Sequence, residues 1–167
     1  MAEGLASFFT NLFTNLHFSK ELIVFIVSMM PILEVRGGMI VASLLNMDPY
    51  ISLIISFIGN VLPIPFLIFL LNPIFGWMKK HQKFAKFVNW LEEKANKNKE
   101  KIAKYQFWGL LLLVAIPLPG TGAWTGCLVA SVFNVPKKIS VPACILGVLG
   151  ATIIMWLISF GILAKIF

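Results

Sequence analysis

The chain has 167 residues, of which 59% are hydrophobic and only 13% charged, and its mean hydropathy is +0.89. Such a composition excludes an ordinary soluble domain and places the chain in a bilayer. The net charge of +7 does not point to nucleic acid, because nine of the fourteen basic residues fall within residues 79–104 and mark a membrane surface.

Residues 1–20 come first. Leu5, Phe8, Phe9, Leu12, Phe13 and Leu16 recur at helical spacing among Thr10, Asn11, Thr14 and Asn15, which predicts a short helix lying in the interface. With no Lys or Arg before Lys20 and no small-residue cleavage pattern, this segment is not expected to be a removed signal.

Four apolar stretches follow, residues 22–46, 51–71, 107–133 and 139–164, each reaching the length of about 20 residues that a spanning helix needs. The second and fourth carry no charge and read as membrane-spanning helices. The first is interrupted by Pro31-Ile-Leu-Glu-Val-Arg-Gly-Gly38 and the third by Pro117-Leu-Pro-Gly-Thr-Gly-Ala-Trp-Thr-Gly126. Proline removes a backbone donor and glycine lowers helix propensity, so each of these stretches is expected to be two half-helices joined by a tip, entering and leaving the membrane on one side.

Shifting the sequence by 88 positions aligns Pro31, Gly38, Val41, Ala42, Ser43, Asn46, Ile51, Ser52 and Gly59 with Pro119, Gly126, Val129, Ala130, Ser131, Asn134, Ile139, Ser140 and Gly147 without a gap. This register predicts an internal duplication. A re-entrant hairpin adds no crossing and the helix after it adds one, so the two units are expected to be inverted. The fold expected is therefore an all-α integral membrane domain with two inverted repeats, residues 21–75 and 105–167. Each repeat is a re-entrant helical hairpin plus a transmembrane helix, and a basic amphipathic helix over residues 76–104 joins them.

In that linker Phe84, Phe87, Val88 and Leu91 form an apolar stripe opposite the lysines. The positive-inside rule puts the linker, Lys137 and Lys138 in the cytoplasm and Asp48 and Pro49 outside, in a multi-pass protein of the inner (plasma) membrane. Irregular backbone at depth must be buried in protein or line a cavity, which predicts a homodimer.

Only Glu34 and Arg36 are charged residues at the centre of an apolar stretch, and Arg36 is the sole arginine. Charge at that depth is costly unless paired or used, which makes both functional candidates. Gly37 and Gly38 are expected to open the second half-helix and present backbone N–H groups to an anion. The second tip offers Gly120, Thr121 and Gly122, with Thr125 adding a hydroxyl and Trp124 a donor or stacking face. Cys127 and Cys144 lie in apolar runs and read as packing residues, while His17 and His81 sit at polar boundaries, so no metal or cofactor is expected. No nucleophile, base or paired-carboxylate constellation can be assembled, and an enzyme is not expected.

The two tips, Glu34-Val-Arg-Gly-Gly38 and Pro117 to Gly126, resemble the paired motifs of the small multi-drug export family, similar in turn to the DedA superfamily of ion-coupled transporters with facing re-entrant hairpins. DedA proteins carry acidic residues in the first half and arginines in the second, whereas the second tip here has no arginine. The resemblance implies transport. The expected function is a transporter or flippase for an anionic, phosphate-bearing lipid or small molecule bound by Arg36 and the tip N–H groups, with H+ or Na+ coupled through Glu34 and membrane lipids as partners. The alternatives are small multidrug efflux, with Glu34 as the counter-charge, or a non-transporting assembly factor.

Overall fold

The computed structural model describes residues 18–80, 99–118 and 120–161. The expected N-terminal interfacial helix and the stripe of Phe84, Phe87, Val88 and Leu91 lie outside these residues. Among them there is no strand, and most belong to seven helices: α1 (Lys20–Met29), α2 (Glu34–Leu44), α3 (Pro49–Val61), α4 (Pro63–Lys80), α5 (Lys99–Ala115), α6 (Ala123–Val132) and α7 (Lys137–Phe160). The described ends of the linker belong to its neighbours, since residues 76–80 continue α4 and residues 99–104 begin α5.

Both expected breaks are present. Between α1 and α2, Pro31 sits in a turn over residues 30–33, where the Glu34 N–H donates to the Met30 carbonyl at 2.9 Å. Between α5 and α6, residues 116–118 and 120–122 are irregular, with Gly120 (φ +83°) and Gly122 (φ +136°) in backbone conformations open to glycine. Three of the four helices flanking these breaks are short, α1, α2 and α6 having 10, 11 and 10 residues, about 15 Å each against a hydrocarbon core of about 30 Å, while α5 has 17.

Among the described residues two helical stretches are long and apolar enough to cross a membrane, Pro49–Leu71 and Lys137–Phe160. The first spans α3 and the start of α4, because Leu62 between them keeps helical dihedrals (φ −55°, ψ −42°) and its N–H reaches the Ile58 carbonyl. Pro63 therefore falls where a helix can restart without the donor that proline lacks.

The 88-residue register reappears in the backbone. After α2, Asn46 adopts φ +48°, its N–H donates to Ser43 O, and the Met47 N–H donates to Ala42 O. After α6, Asn134 adopts φ +51°, with Asn134 N–H to Ser131 O and Val135 N–H to Ala130 O. These are two copies of one helix-ending turn, a left-handed residue followed by a buried apolar one. The next helices then start 88 positions apart, at Pro49 and Lys137. In the first copy the Asp48 carboxylate accepts the N–H groups of Tyr50 and Ile51 at 2.9 and 3.0 Å, closing the N-terminus of α3.

Helix α7 packs against α5, α2, α3, α6 and α4, and α1 packs on α2 and α3. One apolar core joins Val35 and Met39 of α2, Ile64, Leu67 and Ile68 of α4, Val114 of α5, Cys127 of α6, and Cys144 and Val148 of α7. Close approach depends on glycine in both halves: a Cβ on Gly38 would overlap Ser28 Oγ, and one on Gly147 would lie 2.6 Å from Val114 Cβ. The two breaks meet beside this core.

Candidate functional site

Glu34 is the first residue of α2 and holds a left-handed backbone (φ +48°) that is costly for a residue with a side chain. Its carboxylate is turned across the bundle to the start of α6, where Oε2 accepts the Ala123 N–H at 3.2 Å and Oε1 accepts the Trp124 N–H at 3.1 Å. Helix α6 has no cap from its own chain segment, because Gly122 has no side chain. Glu34 supplies that cap from 89 residues upstream. Free N–H groups and the positive end of the helix dipole favour a carboxylate at this point.

Gly122 makes the seat possible. A Cβ there would overlap the Glu34 carboxylate, and the φ of +136° is itself restricted for other residues. Glu34 is 6% exposed, so its charge is met by fixed N–H groups rather than by bulk solvent.

Arg36 does not form the direct pair with Glu34. Its Nη2 donates to the Thr121 carbonyl at 2.7 Å and lies 2.9 Å from Thr121 Oγ1. The Thr121 hydroxyl is in turn within reach of Ile116 O at 2.7 Å and Leu118 O at 2.8 Å, and it accepts the Leu118 N–H at 3.1 Å. Thr125 Oγ1 donates to Gly120 O at 3.1 Å. The second tip is therefore a self-bonded turn fastened to the first by Arg36. Trp124 adds a third tie, its indole N–H donating to Met29 O at the end of α1 at 3.3 Å.

The sequence-derived residues Glu34, Arg36, Gly120, Thr121, Gly122, Trp124 and Thr125 thus come together at one junction, in roles that differ from an open anion cradle. Gly37 and Gly38 do not open a half-helix: α2 starts at Glu34, and the Gly37 N–H already donates to Leu33 O at 2.8 Å. Their service is close packing, since a Cβ on either would press on Leu33 or Ser28. The donors that do reach a carboxylate belong to Ala123 and Trp124, one turn later than the glycines suggest. Ala123 and Met29 act only through backbone atoms, and no residue type announces such a role.

Beside the junction runs an apolar groove of about 440 Å³ lined by Met29, Met30, Pro31, Phe66, Leu67 and Trp124 among others. Trp124 is common to both features, with its ring on the groove and its backbone N–H on Glu34. Thioether and aromatic side chains adapt to apolar guests of varied shape.

Comparison with curated proteins and with solved structures returned no match. Residues 34–154, which run from Glu34 through both tips and most of α7, match the family described as putative small multi-drug export protein. The match covers well over half of the chain, and the chain belongs to that family.

Proposed function

We propose that the chain is an export protein for small amphipathic molecules that reach it from the membrane, with a proton as the coupling ion and Glu34 as the residue that carries it. One observation carries the reading: Glu34 is the cap of a helix in the other half of the chain, next to an apolar groove. A carboxylate accepts two N–H groups there; protonation turns one oxygen into an O–H donor and a much weaker acceptor, so the pair is held less firmly. Protonation at Glu34 loosens the start of α6 and the Trp124 ring with it. The groove then changes shape as the charge changes.

A sodium ion would have to replace these N–H donors with oxygen ligands, so the proton is the simpler partner. The anionic substrate expected from sequence loses support, because the Gly37 N–H is spent on Leu33 O, the Thr121 N–H on Leu118 O, and the open start of α6 is already capped by Glu34. Family membership favours export of small molecules on the same side.

The proposal includes the membrane arrangement. The short α1, α2 and α6 support re-entrant pairs, and the recurrence of one helix-ending turn at 88 residues supports two units of common origin in opposite orientation. A homodimer belongs to the same reading, since the two long apolar helices among the described residues give little protein to shield the tips from lipid.

The test is flux in proteoliposomes under an imposed pH gradient, with a fluorescent lipophilic cation and an anionic lipid analogue compared as cargo. Movement of the cation that collapses with the gradient and disappears in Glu34→Gln is the expected result. Gradient-driven movement of the anionic lipid alone, or flux indifferent to Glu34→Gln, overturns the reading.

A further inference from the structure

Three enclosed oxygens in the first half have no protein partner: Ser28 Oγ on α1, and Ser56 Oγ and Asn60 Oδ1 on α3. Their residues are 0%, 0% and 2% exposed. Buried polar atoms are nearly always paired, and where protein does not pair them, ordered water does.

The three lie along one line. Ser52, Ser56 and Asn60 are spaced four apart and share a face of α3, all of them buried. Ser28 reaches the same line from α1, because its hydroxyl and that of Ser56 flank Gly38: a Cβ on Gly38 would overlap the first and lie 3.0 Å from the second. Helices α2 and α3 pack on each other and are joined by the short turn at residues 45–48. Residues at equal distance from that turn are therefore level. Gly38 is level with Ser56, and one turn deeper Glu34 is level with Asn60. At the other end Ser52 Oγ donates to Asp48 O at 2.7 Å, and Asp48 is exposed.

The second half shows that packing alone does not require this polarity. At the positions 88 residues on, Ser28, Ser56 and Asn60 are replaced by Ile116, Cys144 and Val148. The steric task is still met there, with Gly126 lying against Cys144 as Gly38 lies against Ser56. Ser131 and Ser140 also lack partners, but they adjoin the turn at residues 133–136 rather than the centre of the bundle. A buried column of polar groups leading inward is thus confined to the half that holds Glu34.

We infer that Ser28, Ser56 and Asn60 bind a short chain of water molecules between α1, α2 and α3, and that this chain conducts protons between the Asp48 end of the bundle and the Glu34 carboxylate. The role of the column in transport rests on the export reading, while proton access to Glu34 can be measured without any substrate. The groups facing Glu34 are Arg36 on its own helix and the Ala123 and Trp124 N–H groups and the Cys127 thiol of α6, while Asn60 is level with it on α3.

The test uses the full chain in lipid. An acid jump is followed by the rise of the Glu34 carboxyl stretching band in the infrared, assigned by its loss in Glu34→Gln. Giving the first half the residues of the second, Ser56→Cys with Asn60→Val, is expected to slow that rise tenfold or more. An unchanged rise overturns the water chain. Should the double variant not fold, the unsubstituted protein decides: magnetisation transfer from water to the Asn60 side-chain amide is expected in solid-state NMR, and its absence overturns the proposal. A protein that moves no amphipathic cargo yet protonates Glu34 rapidly through Asn60 keeps the water chain and loses the export reading.

Discussion

Gly122 and Glu34 occupy what would be the same space if residue 122 had a side chain: a Cβ there would overlap the carboxylate that closes α6. Gly122→Ala therefore both strains the backbone at φ +136° and evicts Glu34 from its two N–H donors. The strain costs about 1–3 kcal/mol, and loss of hydrogen bonds to a charged group about 1.5–3 kcal/mol more. Gly120→Ala has open space around it, so only the φ of +83° opposes it, and it should cost about 1–2 kcal/mol. Thermal unfolding in detergent should rank Gly122→Ala well below Gly120→Ala.

Arg36 ties the tips through Thr121 by two contacts from one nitrogen. Arg36→Ala should destabilise by about 1.5–3 kcal/mol, and Arg36→Lys should recover only part, since an ammonium lacks the planar fork. Thr121→Val keeps the carbonyl acceptor but removes the hydroxyl that knits the turn, and should itself cost about 1–2 kcal/mol. A thermodynamic cycle over Arg36→Ala and Thr121→Val should show non-additivity, because the two residues share one network. Additive losses would mean that Arg36 acts elsewhere.

Helix glycines should divide by what surrounds them. Gly38→Ala presses on Ser28 and Ser56, and Gly126→Ala on Val114 Cγ2, each an overpacking change worth about 1–3 kcal/mol. Gly109, in α5, has nothing within 4 Å of a built Cβ, so Gly109→Ala should be neutral or stabilise by up to about 1 kcal/mol. Unfolding midpoints of the three variants check the contrast.

The opposed orientation proposed for the two halves predicts that cysteines placed at Asn46 and Lys138 react with impermeant reagents from opposite faces. Both positions are exposed beside equivalent helix-ending turns. The background lacks Cys127 and Cys144, both buried. Labelling from the same face would remove the inverted arrangement.

Much of the helical layout was legible because it is set locally. Proline and glycine mark the breaks at residues 30–33 and 116–122, and the repeated Val-Ala-Ser with Asn three residues on marks both turns with left-handed asparagine. The position of Glu34 and Arg36 within an apolar stretch flagged them as a site. Their partners were not legible, because Thr121 and Trp124 lie 85 and 90 residues away and take part largely through backbone atoms. Gly37 and Gly38 misled for a related reason. Glycine beside an arginine suggests an exposed N–H cradle, whereas here Gly37 makes room for Leu33 and Gly38 serves the approach of α1 to α2. Ser28, Ser56 and Asn60 escaped notice because single polar residues in apolar helices gain meaning only when three helices bring them together.

The capping of α6 by Glu34 also bears on how the protein is made. Synthesis delivers Glu34 89 residues before its partner Ala123 exists, so the first half enters the bilayer with its acidic side chain unmatched. The second half arrives with a helix start that nothing in its own sequence closes. Each half is thus incomplete by itself, and the contact between Glu34 and α6 cannot form until Ala123 has been made. Quality control that senses stray charge in the bilayer would act on this chain in that interval.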